Sequence, residues 1–174
     1  MKFHTVRMFG KCRYYAGGQA DGLSFCDMRG EKRMIEIIGV PIQLVGIGQN
    51  VLFPQAAVKG GCAERHRAGS GLITLLKPGR YLVTFSGNIA VPAGQTVGEV
   101  SVGIARGGEV IPGTTMRVTP AAVDQYFNVS AQTYVDVYCG CCENVSVKNT
   151  STIPINVQDA NLTAVRVCGL GGAA

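Results

Sequence analysis

Tyr81-Leu82-Val83-Thr84-Phe85-Ser86-Gly87-Asn88-Ile89-Ala90-Val91 alternates in character along its length. Tyr81, Val83, Phe85, Ile89 and Val91 fall in one phase, and Thr84, Ser86 and Asn88 in the other. A period of two is that of an extended strand with one face against a core. Segments of the same kind recur from Gln49 to Val167, rich in Val, Ile and Thr and broken by Gly, Pro and Asn. That combination marks an all-β chain.

Outward from this stretch, Lys77-Pro78-Gly79 on one side and Pro92-Ala93-Gly94 on the other read as turns. Strands are expected over residues 50–53, 71–76, 80–91 and 97–106, where Val100, Val102 and Ile104 share a face. Gly107-Gly108 is a hairpin signal. Residues 110–112 and 115–118 read as one short, broken strand, followed by 126–130, 133–138, 144–149, 153–157 and 161–167. Only 121–125 suggests a helical turn. The loop Glu64-Arg65-His66-Arg67 reads as a solvated turn. Nine or ten strands at this spacing imply a sandwich or barrel.

Residues 1–45 differ in texture. They hold Gly17-Gly18, Asp21-Gly22 and Arg29-Gly30 and two apolar patches, Tyr14-Tyr15 and Met34-Ile35-Glu36-Ile37-Ile38. Pro41 makes 40–45 extended but unsuited to the centre of a sheet. Two readings stand side by side: an attachment arm, or edge strands of the main domain. The division adopted is an N-terminal arm over 1–45, a domain over 46–168 and a frayed Gly-rich tail over 169–174.

The chain has 174 residues, 47% of them hydrophobic and 16% charged, which excludes a disordered chain. A mean hydropathy of +0.21 points to surface covered by other subunits. Net charge is +5; residues 1–45 contribute +3 (seven Lys/Arg against four Asp/Glu). No stripe of cations interleaved with aromatics suggests nucleic acid. No run of about 18 apolar residues suggests a membrane span. Met1 to Arg7 lacks the apolar core of a signal peptide, so synthesis in a cytoplasm is expected.

Catalytic chemistry finds no convergent set. His4 and His66 are the only histidines, and Asp124, Asp136 and Asp159 are scattered at turns and strand ends. Cys139-Gly140-Cys141-Cys142 is the densest thiol cluster, but it stands without the second ligand pair that structural zinc commonly uses. Seven cysteines cannot all pair within one chain. Free, mostly buried thiols are expected, with disulfides within or between the subunits of a released particle as the alternative, and with no metal and no cofactor.

The residues also carry a family likeness. Gln49 to Phe53 through Gly69 to Leu75 resembles the opening strands of the tumour necrosis factor and complement-head jelly roll. Gly79-Arg80-Tyr81-Leu82-Val83-Thr84-Phe85 resembles the Gly-x-Tyr-x-Val-x-Phe strand of that superfamily, and Ala160 to Val167 its closing strand. Bacterial and phage-encoded versions look most similar, including through Val118 to Val123. The likeness covers about residues 49–168. It implies an all-β, ten-stranded jelly-roll sandwich that assembles as a homotrimer.

The expectation is a non-enzymatic assembly protein: a homotrimeric phage virion component, made in the host cytoplasm, serving as capsid decoration, head fibre or tip. The alternative is a bacterial surface or spore-coat module binding glycans or receptors through loops 60–68 and 91–97. Tyr126, Phe127, Tyr134, Tyr138 and Leu162 are the candidate trimer seam. Tyr14, Tyr15, Met34, Ile35, Ile37 and Ile38 are the candidate attachment residues toward capsid or other virion proteins.

Overall fold

The computed structural model describes residues 34–138 and 140–168, in two antiparallel sheets with no helix. The 81–91 stretch forms β6 (Gly79–Ala90), and its two phases separate as the alternation requires: Tyr81, Val83, Phe85 and Ile89 are fully buried, while Leu82, Thr84, Ser86 and Asn88 are half-buried on the opposite face. β6 lies between β10 (Phe127–Val137) and β12 (Ile155–Cys168). The first sheet continues from β12 to β1 (Met34–Gly39) and β3 (Gln55–Val58), with β2 (Gln43–Val45) also on β12. The second sheet runs β4 (Glu64–His66), β5 (Ile73–Leu75), β11 (Glu143–Asn149), β7 (Val100–Arg106) and β8 (Glu109–Val110), with β9 (Met116–Val118) also on β7.

The core fills the space between the sheets. Ile35, Ile37, Tyr81, Val83, Phe85 and Leu162 from the first sheet face Ile73, Leu75, Val102, Ile104, Val145 and Val147 from the second. Burying a side chain of this size stabilises the fold by about 1.5–3 kcal/mol. The Tyr81 hydroxyl donates to Lys77 O at 2.7 Å, which satisfies its one polar atom. β7 is buried on both faces, because its second face is covered by the loops around 111–115 and 150–151. Ser151 Oγ accepts from Ser101 N–H at 2.7 Å and donates to Ser101 O at 3.1 Å. A Cβ on Gly103 would stand 2.7 Å from Val110 Cγ1, so this close approach requires glycine.

The all-β jelly roll agrees with the sequence reading, whereas strand number and boundaries differ. Twelve strands stand among the described residues. β3 and β4 add to the expected set, and 50–53 makes only isolated bridges, Asn50 to Lys148 and Phe53 to Ser70. The 64–67 loop is not a solvated turn. Glu64 is 2% exposed in β4, and the His66 ring lies 2.8 Å from Leu72 O and 2.9 Å from Phe53 O. The segments expected at 126–130 and 133–138 form one strand, Phe127–Val137. The segments expected at 153–157 and 161–167 likewise merge into Ile155–Cys168, because a bulge between Gln158 and Asn161, with Asp159 at φ 51°, absorbs the apparent turn and shifts the inward phase from odd to even positions. Residues 121–125 are a turn in which Gln125 Oε1 accepts from the Ala121 and Ala122 N–H groups.

The largest correction concerns residues 34–45. Met34 to Gly39 pairs along its whole length with Val165 to Ala160, and Gln43 to Val45 with Val157 to Ile155. These residues belong to the sandwich, so any arm ends by residue 33. Ile35 and Ile37 are core side chains at 2% and 0% exposure, which removes them as attachment residues. Met34 and Ile38 point outward from the same strand. Tyr14, Tyr15 and the tail 169–174 lie outside the described residues.

Candidate interaction surface

The outward face of the first sheet is set by strand register. Three cross-strand rows run over β1, β12, β6 and β10: Met34–Val165–Leu82–Tyr134, Glu36–Thr163–Thr84–Gln132, and Ile38–Asn161–Ser86–Ser130. Each residue is one step out of phase with the core, so all twelve side chains share one surface. Glu36 is the only charged group among them. Its carboxylate accepts from Asn161 Nδ2, and Thr163 Oγ1 donates to Asn161 Oδ1 at 3.0 Å. A sheet face whose three adjacent rows carry a single charge, with the paired Arg80 and Asp136 in the row beyond, is the kind of surface that association covers.

The two sides of this face differ. On the β10 side the surface is aromatic: Tyr134 and Tyr138 are 61% and 62% exposed. Phe127 is partly exposed at the start of the strand, and Tyr126 beside it is half-buried. Arg80 makes a two-pronged ion pair with Asp136, Nε to Oδ1 and Nη2 to Oδ2, both 2.7 Å. The same guanidinium stands 5.9 Å from the centre of the Tyr134 ring, fixing the tyrosine on the sheet edge. The Arg80 hydrogen bond holds the Asp136 carboxyl below the usual carboxylate range, its charge adding to the effect. Burial, and then the Asp124 carboxylate, push the Tyr126 hydroxyl above the usual phenol range.

On the β1–β2 side the surface is aliphatic. Beyond Ile38, the side chains of Val40, Ile42 and Leu44 are each more than half exposed. Gln43 clasps the backbone of Leu52 with both ends of its amide: Nε2 donates to Leu52 O at 3.0 Å, and Oε1 accepts from Leu52 N–H at 2.8 Å. Two shallow grooves flank that clasp. One, of about 260 Å³, lies among Pro41, Ile42, Leu52 and Pro54; the other, of about 480 Å³, among Leu44, Leu52, Leu72 and Lys148.

Of the seam residues expected from sequence, Tyr134 and Tyr138 share the outward phase of β10, whereas Tyr126 and Phe127 stand at the other end of the strand, with Phe127 paired to buried Ile89 in the inward phase. Leu162 is a correction. It is 0% exposed and faces the other sheet, because the bulge at Asp159 sets its phase inward. Sequence reasoning missed Leu82, Thr84 and Thr163, although Leu82 and Thr84 lie in the outward phase of the 81–91 alternation. It also missed the ridge of Val40, Ile42 and Leu44, whose exposure depends on β2 pairing with a strand more than a hundred residues later.

The cysteines also depart from expectation. Cys62 is disulfide-bonded, and Cys141 and Cys142 are free but exposed rather than buried. Among the described residues no group of three or more His, Cys, Asp or Glu is placed to hold a metal ion.

No protein-family profile matches the chain, and no curated protein matches it in sequence. Solved structures do match in fold. The globular domain of a zebrafish complement 1qA protein superposes with a TM-score of 0.56 at 12% identity, over 79% of this chain and 99% of that one. The Eiger TNF of S. frugiperda gives 0.61 at 11% identity, over 81% and 96%. Murine APRIL gives 0.56 at 11% identity, over 77% and 98%. The fold is therefore a jelly roll of the tumour necrosis factor and complement-head type.

Proposed function

We propose that this protein is a non-enzymatic structural component that assembles as a homotrimer through the outer face of its first sheet. One observation carries the reading: a largely polar and apolar sheet face, its Arg80 and Asp136 charges paired with each other, with exposed Tyr134 and Tyr138 on β10 and an aliphatic ridge on the β1–β2 side. Two unlike patches on one molecule make a heterologous contact, and a heterologous contact that closes on itself gives a ring. With β10 of one copy seated on the Val40–Leu44 side of the next, three copies bury the Tyr134 edge and the open flank of an eleven-residue strand. An open flank of that length otherwise invites uncontrolled pairing. The family likeness in the 79–85 strand also implies a trimer.

The test is light scattering on the full chain in reductant. The expected mass is three times the 18.3 kDa chain. A monomer at micromolar concentration overturns the proposal.

The finer reading is a virion component, a capsid decoration, head fibre or tip, joined to other virion proteins by an arm over residues 1–33. Tyr14 and Tyr15 remain its candidate attachment residues. The Tyr14→Ser/Tyr15→Ser chain is expected to stay trimeric but to be absent from purified particles. Incorporation at full occupancy overturns the role given to the arm. The alternative, a surface module binding glycans through loops 60–68 and 91–97, is less well supported. Residues 64–66 are a strand whose Glu64 is buried and whose His66 is clasped by two carbonyl groups.

A further inference from the structure

A polar cleft of about 450 Å³ opens on the outer face of the second sheet, within the roughly 300–1,000 Å³ of small-ligand sites. Strand register places it there. Ser101 pairs with Arg117 across β7 and β9, and both stand one step out of phase with the core residues Val100, Val102 and Met116. Residues 150–153, which lead from β11 to β12, form the facing wall. The trimer proposed above covers the first sheet, so this cleft stays open in a trimer and in a monomer alike.

The floor is rigid and its polar groups are satisfied. Ser101 and Ser151 are both buried, and Ser151 Oγ holds the Ser101 backbone at N–H and at O. Thr150 Oγ1 lies 2.7 Å from Ser101 Oγ, and Thr150 N–H donates to Ser101 O at 3.0 Å. The rim differs. Thr96 and Thr152 are exposed, and their hydroxyls have no hydrogen-bond partner among the described residues. Arg117 Nη1 donates to Glu99 Oε1 at 3.1 Å, with both side chains more than half exposed.

These groups select a class of ligand. The cleft holds one cation and one anion, paired, so it carries no net charge. A phosphate or carboxylate entering it would have to displace Glu99 from Arg117 and then face the Glu99 carboxylate. An apolar ligand would shut water away from polar groups and give them nothing in exchange. A neutral polyol satisfies them all: one hydroxyl donates to Glu99, its neighbour accepts from Arg117, and a threonine hydroxyl can do either. Ile153, half-buried in the facing wall, supplies an aliphatic surface for the C–H face of a ring.

We propose that this cleft binds the ring of a neutral sugar, with Glu99 and Arg117 gripping two adjacent hydroxyl groups and Thr96 and Thr152 a third. Loop 60–68 takes no part in it, and the site does not depend on the trimer. Its place in the fold suits recognition. Met34 shares its row with Leu82 near the start of β6, whereas residues 91–99 leave the far end of β6 to reach the cleft. A chain held from its N-terminal side therefore presents the cleft outward. No aromatic ring lines the cleft, so a single site is expected to bind weakly, with a Kd on the order of 1 mM.

The test follows backbone amide shifts of the full chain by two-dimensional NMR. D-glucose, D-galactose, D-mannose and N-acetyl-D-glucosamine are each titrated to about 20 mM, well above the expected constant. At least one sugar is expected to give saturable shifts confined to residues 96–101, 117 and 150–153. The Glu99→Gln/Arg117→Met chain is expected to keep the wild-type melting temperature and to bind about tenfold more weakly. Thr152→Val is expected to show a smaller loss, and it carries the comparison if the double variant melts early. The proposal is overturned by no saturable shift with any of the four sugars, by shifts centred elsewhere, or by variants that bind as wild type does. Inorganic phosphate is the counter-probe: shifts at the cleft with phosphate and none with sugar mean that the site reads an anion, and the proposal fails. Light scattering on the same samples decides the trimer independently of every one of these outcomes.

Discussion

The side-chain amide of Asn149 donates to the carbonyl oxygen of Val45 at 3.0 Å, across 104 residues of sequence. The same Nδ2 lies 3.2 Å from Gly46 O and 3.0 Å from Ile153 O, while Oδ1 accepts from Ser151 N–H at 2.8 Å. Asn149 is 1% exposed, so no solvent competes. One side chain therefore joins the end of β11, in the second sheet, to the end of β2, in the first.

Asn149→Ala strips partners from several buried backbone groups at once, and each unsatisfied group costs about 1–3 kcal/mol. The expected loss is about 3 kcal/mol, read as a lower urea midpoint with an unchanged slope. Asn149→Asp is expected to do no better, since it turns carboxylate oxygen toward three carbonyls. Wild-type stability for either variant means the network does not hold β2.

The tyrosine edge and Leu162 separate association from folding. Tyr134→Ser and Tyr138→Ser remove exposed rings and are expected to leave the melting temperature of a dilute monomer nearly unchanged while weakening self-association. Leu162→Ala opens a cavity between the sheets and is expected to cost about 3 kcal/mol of stability. Sedimentation and thermal melting on the same samples check both. Tyrosine variants that melt early but associate normally contradict the assignment.

The sequence reading succeeded where structure is local. The 81–91 alternation needs only a period of two, and β6 appears with that phase intact. It failed where a remote strand decides. Met34 to Ile38 read equally well as an arm or an edge strand, because its partner Ala160 to Val165 lies more than a hundred residues away. Leu162 faces the core, and Asn161 the outer surface, only because Asp159 adopts a left-handed conformation that no periodicity reveals. Gln55 to Val58 and Glu64 to His66 have few strand-forming side chains and become strands through pairing with β1 and β5.

Asp136 gives a pH dependence with a defined sign. Its carboxyl is held below the usual range in the folded chain, chiefly by the hydrogen bond from Arg80. The unfolded carboxyl titrates near about 3.9. The folded state then binds fewer protons, so the stabilisation is fully present above that value and is lost as pH falls through the folded one. Urea midpoints of wild type and Asp136→Asn are expected to differ at pH 7 and to converge as the pH falls through the lowered range in which the folded carboxyl takes up its proton. The pair is exposed to solvent, so the gap is expected to be small and to shrink with added salt. A gap that grows on acidification contradicts the assignment.

Truncation tests where the domain begins. A chain lacking residues 1–33 starts at Met34 and keeps β1, so it is expected to retain a cooperative thermal transition. A chain lacking residues 1–45 loses β1 and β2. Ile35 and Ile37 leave the core, at about 2–4 kcal/mol each by comparison with large-to-small substitutions, against a total stability of about 5–15 kcal/mol for a typical domain. It also bares the flank of β12 from Ile155 to Val165, a long strand edge prone to aggregation. The expected result is an insoluble product or one without a cooperative transition. A soluble, cooperatively melting chain that begins at residue 46 means the sandwich closes without β1, and the arm then extends to residue 45 after all.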